Sequence, residues 1–427
     1  MSRHTAVRGP VGTGERALAP DLARGFMLLF IALANTVWYL WAVPMGGSSA
    51  HPQPQGALDA VTQFFTIVVV DGRSYPMFAF LFGYGMVQLA MRQEAAGASP
   101  AEVNALLRRR NLWLLVFGFF HALLLWFGDV LGAYGLAGLL LAWLFLRRRD
   151  TTLLVWAGVF IGLLGLLAAF SVVGFVLAPE GDPAMTGMDG MAASNGETSI
   201  LAAALGRLIV WPLVSVMQGL LGLVVPTMIL LAFWAARRRI LEEPGRHLTL
   251  LRWTAALGIS IAWLGALPEA LAQVGLWEVT ESQATMLIAP HMFAGLFGGL
   301  GYISLIALIA HALQQRRGRE PGVVLNAITA TGKRSLSSYL AQSVLCAPVL
   351  AAWGLGLGGQ LTSWTMFLYA IGVWLVTVVV AYLMERAGRR GPAEVLLRRL
   401  SYRRSTGEPV QAWSRPPEVV DQERTTP

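Results

Sequence analysis

Residues 152–178 read TLLVWAGVFIGLLGLLAAFSVVGFVLA, without one charged side chain, between the arginines Arg147 to Arg149 and the polar break that opens at Pro179. A helix of this length covers the ~30 Å hydrocarbon core of a bilayer, and an uncharged apolar run of about 20 residues reads as a crossing. The pattern recurs along the chain. Apolar runs return from Phe26 to Glu385, and they place crossings at about 26–44, 74–91, 112–128, 130–146, 152–178, 209–235, 253–272, 286–312, 335–356 and 364–385. The hydrophobic fraction is 56% and the charged fraction 13%, about half the charged share of a soluble domain. The expected fold is therefore an all-α, polytopic transmembrane bundle of about ten crossings plus interfacial helices.

The net charge of +8 would suit nucleic acid, but its distribution argues against that partner. Arginines cluster at 108–110, 147–149, 237–239 and 316–319, on every second connection, whereas the breaks 44–72, 179–199, 273–285 and 357–363 hold no Lys or Arg. That is the positive-inside pattern. It implies a multi-pass protein of the bacterial cell (plasma) membrane with both ends cytoplasmic: a tail at 1–20, a membrane domain at 21–403 and a disordered tail at 404–427. The polar N-terminal stretch lacks a signal-peptide core. Residues 57–70 are too short to span and read as a helix at the outer face, and 200–208 lead into the sixth crossing.

Cys346 is the only cysteine, which rules out an intrachain disulfide and a cysteine metal cluster. No zinc, nucleophile-elbow or dinucleotide run occurs, so no metal or bound cofactor is expected. Gly332-Lys333-Arg334-Ser335 lacks the upstream Gly of a phosphate-binding loop.

Several polar residues fall where hydrocarbon makes an ionisable group cost at least ~2.5 kcal/mol: Asn35, Asp71, Arg73, His121, Asp129, Arg207, Gln218, Glu269, His291 and Gln342. His121, in a helix expected to start near Asn111, falls near mid-bilayer and suits acid/base work; the plain alternative is a packing hydrogen bond. Asp129 caps the next helix or orients a histidine, and the eight-residue spacing argues against a dyad with His121. His291 opens the eighth helix beside Gly295, Gly298, Gly299 and Gly301, which favour close helix packing. Arg73 is set to hold a carboxylate or phosphate, to pair with Asp71, or to snorkel; Arg207 is expected to snorkel, and Glu269 to be hydrated.

Four runs carry a family resemblance. FGFFHALLLWFGDVLGAYGLAGLLL (Phe117 to Leu141) resembles the signature of the YeiB-like bacterial membrane proteins, domain of unknown function 418, as do DGRSYPMFAFLFGYG (Asp71 to Gly85), GKRSLSSYLAQS (Gly332 to Ser343) and GPAEVLLRRLSY (Gly391 to Tyr402). A more distant likeness bears on chemistry. Asp21-Leu22-Ala23-Arg24-Gly25 followed by Asn35, with Pro76, Phe78, Phe80 and Gly83, is similar to the transmembrane acyltransferases, in particular the heparan glucosaminide acetyltransferase branch. That likeness implies acyl transfer, often from acyl-CoA, and a working histidine between the two motifs, an interval whose only histidine here is His51.

The leading expectation is a membrane-embedded acyltransferase. Its acid or base is His121 or His291, with Asp129; its substrate-binding residues are Asp71, Arg73, Arg24 and Asn35, with Arg24 and Asp21 at the inner mouth suited to the phosphates of an acyl-CoA donor. Rival readings are a transporter or flippase of a small or lipid-linked molecule, and a non-catalytic membrane partner of envelope proteins. The sequence sets no oligomeric state.

Overall fold

A computed structural model describes residues 17–43, 45, 49–178, 194–315 and 322–402. Apart from one isolated bridge between Met45 and Pro52, the described residues contain no β pairing. The expected all-α bundle is borne out: seven helices are long and apolar enough to cross a membrane, and three shorter apolar helices accompany them. The expected tails lie outside the described residues except at 17–20, as do the arginines at 316–319; α1 begins at Leu18, inside the stretch assigned to the N-terminal tail.

In chain order the helices are α1 (Leu18–Thr36), α2 (Ala57–Val69), α3 (Ser74–Ala95), α4 (Pro100–Leu124), α5 (Val130–Phe145), α6 (Asp150–Leu177), α7 (Ile200–Val216), α8 (Val224–Arg237), α9 (Leu248–Gln273), α10 (Glu281–Met286), α11 (Ile288–Gln315), α12 (Val323–Lys333), α13 (Ser335–Leu350), α14 (Ser363–Arg386) and α15 (Pro392–Ser401). The basic connections meet at one end of the bundle. Arg147 bonds Glu94 at 3.0 Å, and Arg237 reaches Asp150 at 2.9 Å and the carbonyl of Arg148 at 2.7 Å. This is the arginine-rich end below.

The core joins α3 to α8 and α1 to α12, while α9 and α11 pair closely. Around it stand helices whose apolar side chains face outward. In α6 only Leu153, Ala157, Leu164 and Ala168 are buried, one narrow seam at helical spacing, and Trp156, Phe170 and Val176 are exposed. Such a helix suits a lipid solvent and no aqueous one.

Two segments depart from expectation. Helix α4 starts eleven residues before Asn111, at Pro100, because Ser99 and Glu102 form a reciprocal cap with proline at the first helical position. The sixth apolar run is not one helix over 209–235. After α7 the chain makes a π turn over Met217–Leu221 and restarts as α8 beyond Leu223, whose φ is 59°. Pro226 explains the break: it lacks an amide hydrogen, and its ring would strike the carbonyl of Gly222 in a straight helix.

Candidate functional site

The α4–α5 hairpin builds the first cluster. Helix α4 ends at Leu124, so His121 sits in its last turn, at the end away from Arg108 to Arg110. The chain then reverses within five residues, and Asp129 caps α5 by accepting from the backbone amides of Leu131 (3.2 Å) and Gly132 (2.6 Å). The reversal swings the carboxyl back onto the ring, and His121 Nδ1 lies 2.8 Å from Asp129 Oδ1. The two therefore form the dyad that their sequence spacing argued against; that spacing argument assumed a continuing helix. Gly118 permits it, since a Cβ there would stand 2.3 Å from Asp129 Oδ2.

On the other side of the ring, His121 Nε2 is 2.8 Å from Ser343 Oγ of α13. A neutral imidazole has one donor and one acceptor nitrogen. With Nδ1–H donating to Asp129, Nε2 keeps the lone pair and accepts from the serine hydroxyl. His121 is 3% exposed and Asp129 0%. Trp211 Nε1 donates a further bond to Asp129 at 3.3 Å. The Tyr339 ring lies 5.0 Å from the imidazole, and beside Ser343 a cavity of about 20 Å³ is lined by Asn35, Tyr39, Gln342 and Cys346. Arg207 does not snorkel. It is buried and donates to the carbonyls of Ala122 and Leu123, the open C-terminal end of α4 next to His121.

A second buried cluster forms where α2 turns into α3. Gly72 (φ +73°) lets the Asp71 to Arg73 turn press against α11, where Gly295 meets the Gly72 carbonyl and Gly298 meets the Arg73 side chain. Arg73 is wholly buried and donates to the carbonyls of Ile67 (3.1 Å), Asp71 and Ala262 (2.5 Å) and to His291 Nε2. His291 Nδ1 in turn contacts Glu269 at 2.6 Å, so Glu269 is buried and paired and not hydrated. Asp71 pairs with His51 Nε2 at 2.8 Å and not, through its carboxylate, with Arg73. His291 thus has its lone pair covered by Arg73, whereas His121 has its lone pair directed at a hydroxyl. The two clusters are linked where Tyr134 of the first hairpin donates to the Tyr75 carbonyl at 2.9 Å.

The third element is a vestibule of about 790 Å³ entered from the arginine-rich end. Its wall runs along α3 from Arg92 to Phe78, fourteen residues or about 21 Å, and its deep end is formed by Phe78, Leu131 and Tyr134. Phe78 stacks on Tyr134 at 4.8 Å and lies 6.3 Å from Tyr339, so three rings partition the vestibule from His121. Eight basic and four acidic side chains line it. The acids are engaged: Asp21 with Arg24 at 3.1 Å, Glu242 with Tyr84 and Gln88, Glu385 with Lys333 and Arg334, and Glu394 with Ser337 and the first amides of α13. Helix α15 covers part of the mouth, tied down by Arg109 Nε donating to the Ser401 carbonyl at 2.9 Å. Burial and the neighbouring Arg390 lower the pKa of Arg398 on this helix.

Of the residues expected to form a site, the structure brings together His121 with Asp129, and Asp71 with Arg73 and His291; Arg24 lines the vestibule and Asn35 the small cavity. Ser343 and Tyr339 escaped notice as site residues in the sequence, and Arg110 counted there only as one of the positive-inside arginines at 108–110. A hydroxyl within an apolar run beside Gln342 was the only local signal for Ser343.

These features define a polytopic helical membrane protein with a buried histidine–carboxylate site behind a cation-lined cavity. Residues 235–404 match the family described as "Protein of unknown function (DUF418)", and the YeiB-like resemblance read from the four runs holds. Over nearly its whole length the chain is similar to uncharacterized protein YxaH of Bacillus subtilis, 29% identical over 92% of this chain and 96% of the relative. It is also similar to uncharacterized protein YeiB of Escherichia coli, 26% identical over 94% of this chain and 100% of the relative.

Proposed function

We propose that this protein is a membrane acyltransferase that receives its donor, an acyl-CoA or similar thioester, through the vestibule and transfers the acyl group to a hydroxyl or amine beside Asp129, His121 and Ser343. The observation that carries the reading is the hydrogen-bonded chain Asp129–His121–Ser343, buried directly behind the deep end of the vestibule. A base needs a lone pair within hydrogen-bond reach of the proton it takes, and a partner that fixes its tautomer. His121 has both. In the reaction its Nε2 removes the proton as the acceptor oxygen or nitrogen attacks the carbonyl, and the imidazolium returns it to the departing thiolate. The phosphates of the donor stay among the cations that line the vestibule, and the acyl end passes Phe78 to His121 when the rings of Phe78, Tyr134 and Tyr339 part, so the transfer is vectorial, with the arginine-rich end in the cytoplasm.

Ser343 stands either as the nucleophile or in the acceptor's place, and Ser343→Ala separates the two. Purified protein incubated with acetyl-CoA is expected to carry an acyl adduct, read by intact mass, in the first case and none in the second. Loss of turnover in both His121→Ala and Ser343→Ala supports the serine nucleophile; loss in His121→Ala alone supports direct transfer; full turnover in both contradicts the proposal.

Orientation is tested separately. Single cysteines at Arg148 and Arg238 are expected to react with an impermeant thiol reagent only from the cytoplasmic side, and one at Gln283 only from outside. Labelling of all three from one side would overturn the vectorial scheme.

A second reading, a carrier, draws on one observation: the vestibule is closed at its deep end by three rings, next to a helix broken at Leu223. Discontinuous helices beside a one-sided cavity suit alternating access.

A further inference from the structure

We infer that the vestibule contains a built site for a phosphate-bearing head group, assembled by Arg110 of α4, Arg24 of α1 and Arg398 of α15. The inference does not depend on acyl transfer; it holds equally if the ligand is carried.

Arg110 is the anchor. Its guanidinium lies over the Phe82 ring at 5.6 Å, and its Nη1 is enclosed with no hydrogen-bond partner among the described residues. No carboxylate among the described residues pairs with it; its charged neighbour is another cation, Arg24, on the same cavity wall. Leaving a buried charged donor unbonded is costly, and setting like charges together in a low-dielectric site adds to that cost. Arg334, Lys333 and Arg237 illustrate the opposite arrangement, each spent on a carboxylate. Arg398 completes the set, since it too has no acidic partner among the described residues and faces the cavity.

Guanidinium forks fit phosphate oxygens in pairs, and the two without a carboxylate, Arg110 and Arg398, suit a phosphate or diphosphate, with Arg24, held by Asp21 and the Leu81 carbonyl, adding positive charge to the wall. Beyond the cations the lining turns apolar through Met27, Leu114, Leu131 and Phe78. The ligand is therefore a diphosphate or phosphomonoester bearing a weakly polar group. Helix α15 is part of the site as well as its cover, because Glu394 fixes its start on α13 and Arg109 fixes its end.

Two sources supply this chemistry, a soluble nucleotide thioester and an anionic lipid head group. The full-length protein, purified in detergent, would be titrated with inorganic pyrophosphate and with CoA, and reconstituted in nanodiscs with phosphatidic acid for lipid retention by native mass spectrometry. Pyrophosphate and CoA are expected to bind, more weakly at high salt, and Arg110→Gln and Arg398→Gln each to weaken binding about tenfold or more. Retention of phosphatidic acid alone, lost in Arg110→Gln, also supports the site and assigns it to a lipid. Absence of binding by all three probes, or equal binding by the wild type and both variants, overturns it. Should Arg110→Gln fail to fold, Arg110→Lys and Arg398→Gln carry the comparison, because Arg398 lies on a short helix at the mouth of the bundle. Failure of acyl transfer with intact, arginine-dependent CoA binding would leave this inference standing and remove only the enzymatic one.

Discussion

His121→Gln is expected to lower acyl transfer by about 10²- to 10⁴-fold while shifting the detergent melting midpoint little. A positioned acid or base contributes that range in rate, equivalent to roughly 3–5 kcal/mol of barrier. An interhelical hydrogen bond inside a membrane averages only ~0.6 kcal/mol. Glutamine can still bond to Asp129 and Ser343, so the packing role survives and the imidazole's proton chemistry does not. Normal turnover in this variant would remove His121 from the mechanism; loss of folding along with turnover would return it to a packing role.

The second large effect is on stability. Arg73→Met is expected to destabilise the protein by about 3–5 kcal/mol, the usual cost of removing one member of a buried charged network. The side chain is wholly buried, and its removal strips donors from the carbonyls of Ile67, Asp71 and Ala262 and from His291. It leaves the His291–Glu269 pair without its cation and releases the α2–α3 turn from α9 and α11. Thermal unfolding followed by a tryptophan or thiol probe in detergent reads this directly. A midpoint equal to wild type would show that Arg73 is dispensable to the bundle, and would reopen it as a ligand-binding residue.

Helix existence and class were legible in the sequence because uncharged runs of bilayer length leave few alternatives. What hydropathy does not encode is where a helix begins and how its end turns. The start of α4 depends on a cap formed by Ser99 and Glu102 within a polar stretch, and without that cap the helix start is misplaced by eleven residues, about three turns. The dyad with Asp129 depends on the reversal at residues 125–129 and on the space left by Gly118. Neither is visible from spacing on an ideal helix. The break at Leu223 had a local sign in Pro226, which the apolar character of the run obscured.

The four runs that carried the family resemblance prove to be neighbours in space. Asp71 to Gly85 supplies the second cluster and one vestibule wall, Phe117 to Leu141 the dyad, Gly332 to Ser343 both Arg334 and Ser343, and Gly391 to Tyr402 the helix at the mouth. His51 remained unplaced in the sequence because its loop has no helical register. The structure seats it on Asp71, 2.8 Å away, with Nδ1 buried and without a hydrogen-bond partner among the described residues.

The most direct test uses proteoliposomes supplied on the vestibule side with a thioester donor labelled separately in its acyl and nucleotide parts, and with a hydroxyl or amine acceptor on the other side. Wild-type protein is expected to deliver the acyl label to the acceptor while the nucleotide label stays behind, and His121→Gln to deliver almost none. Passage of both labels together, or equal delivery by the variant, would contradict acyl transfer at Asp129–His121–Ser343.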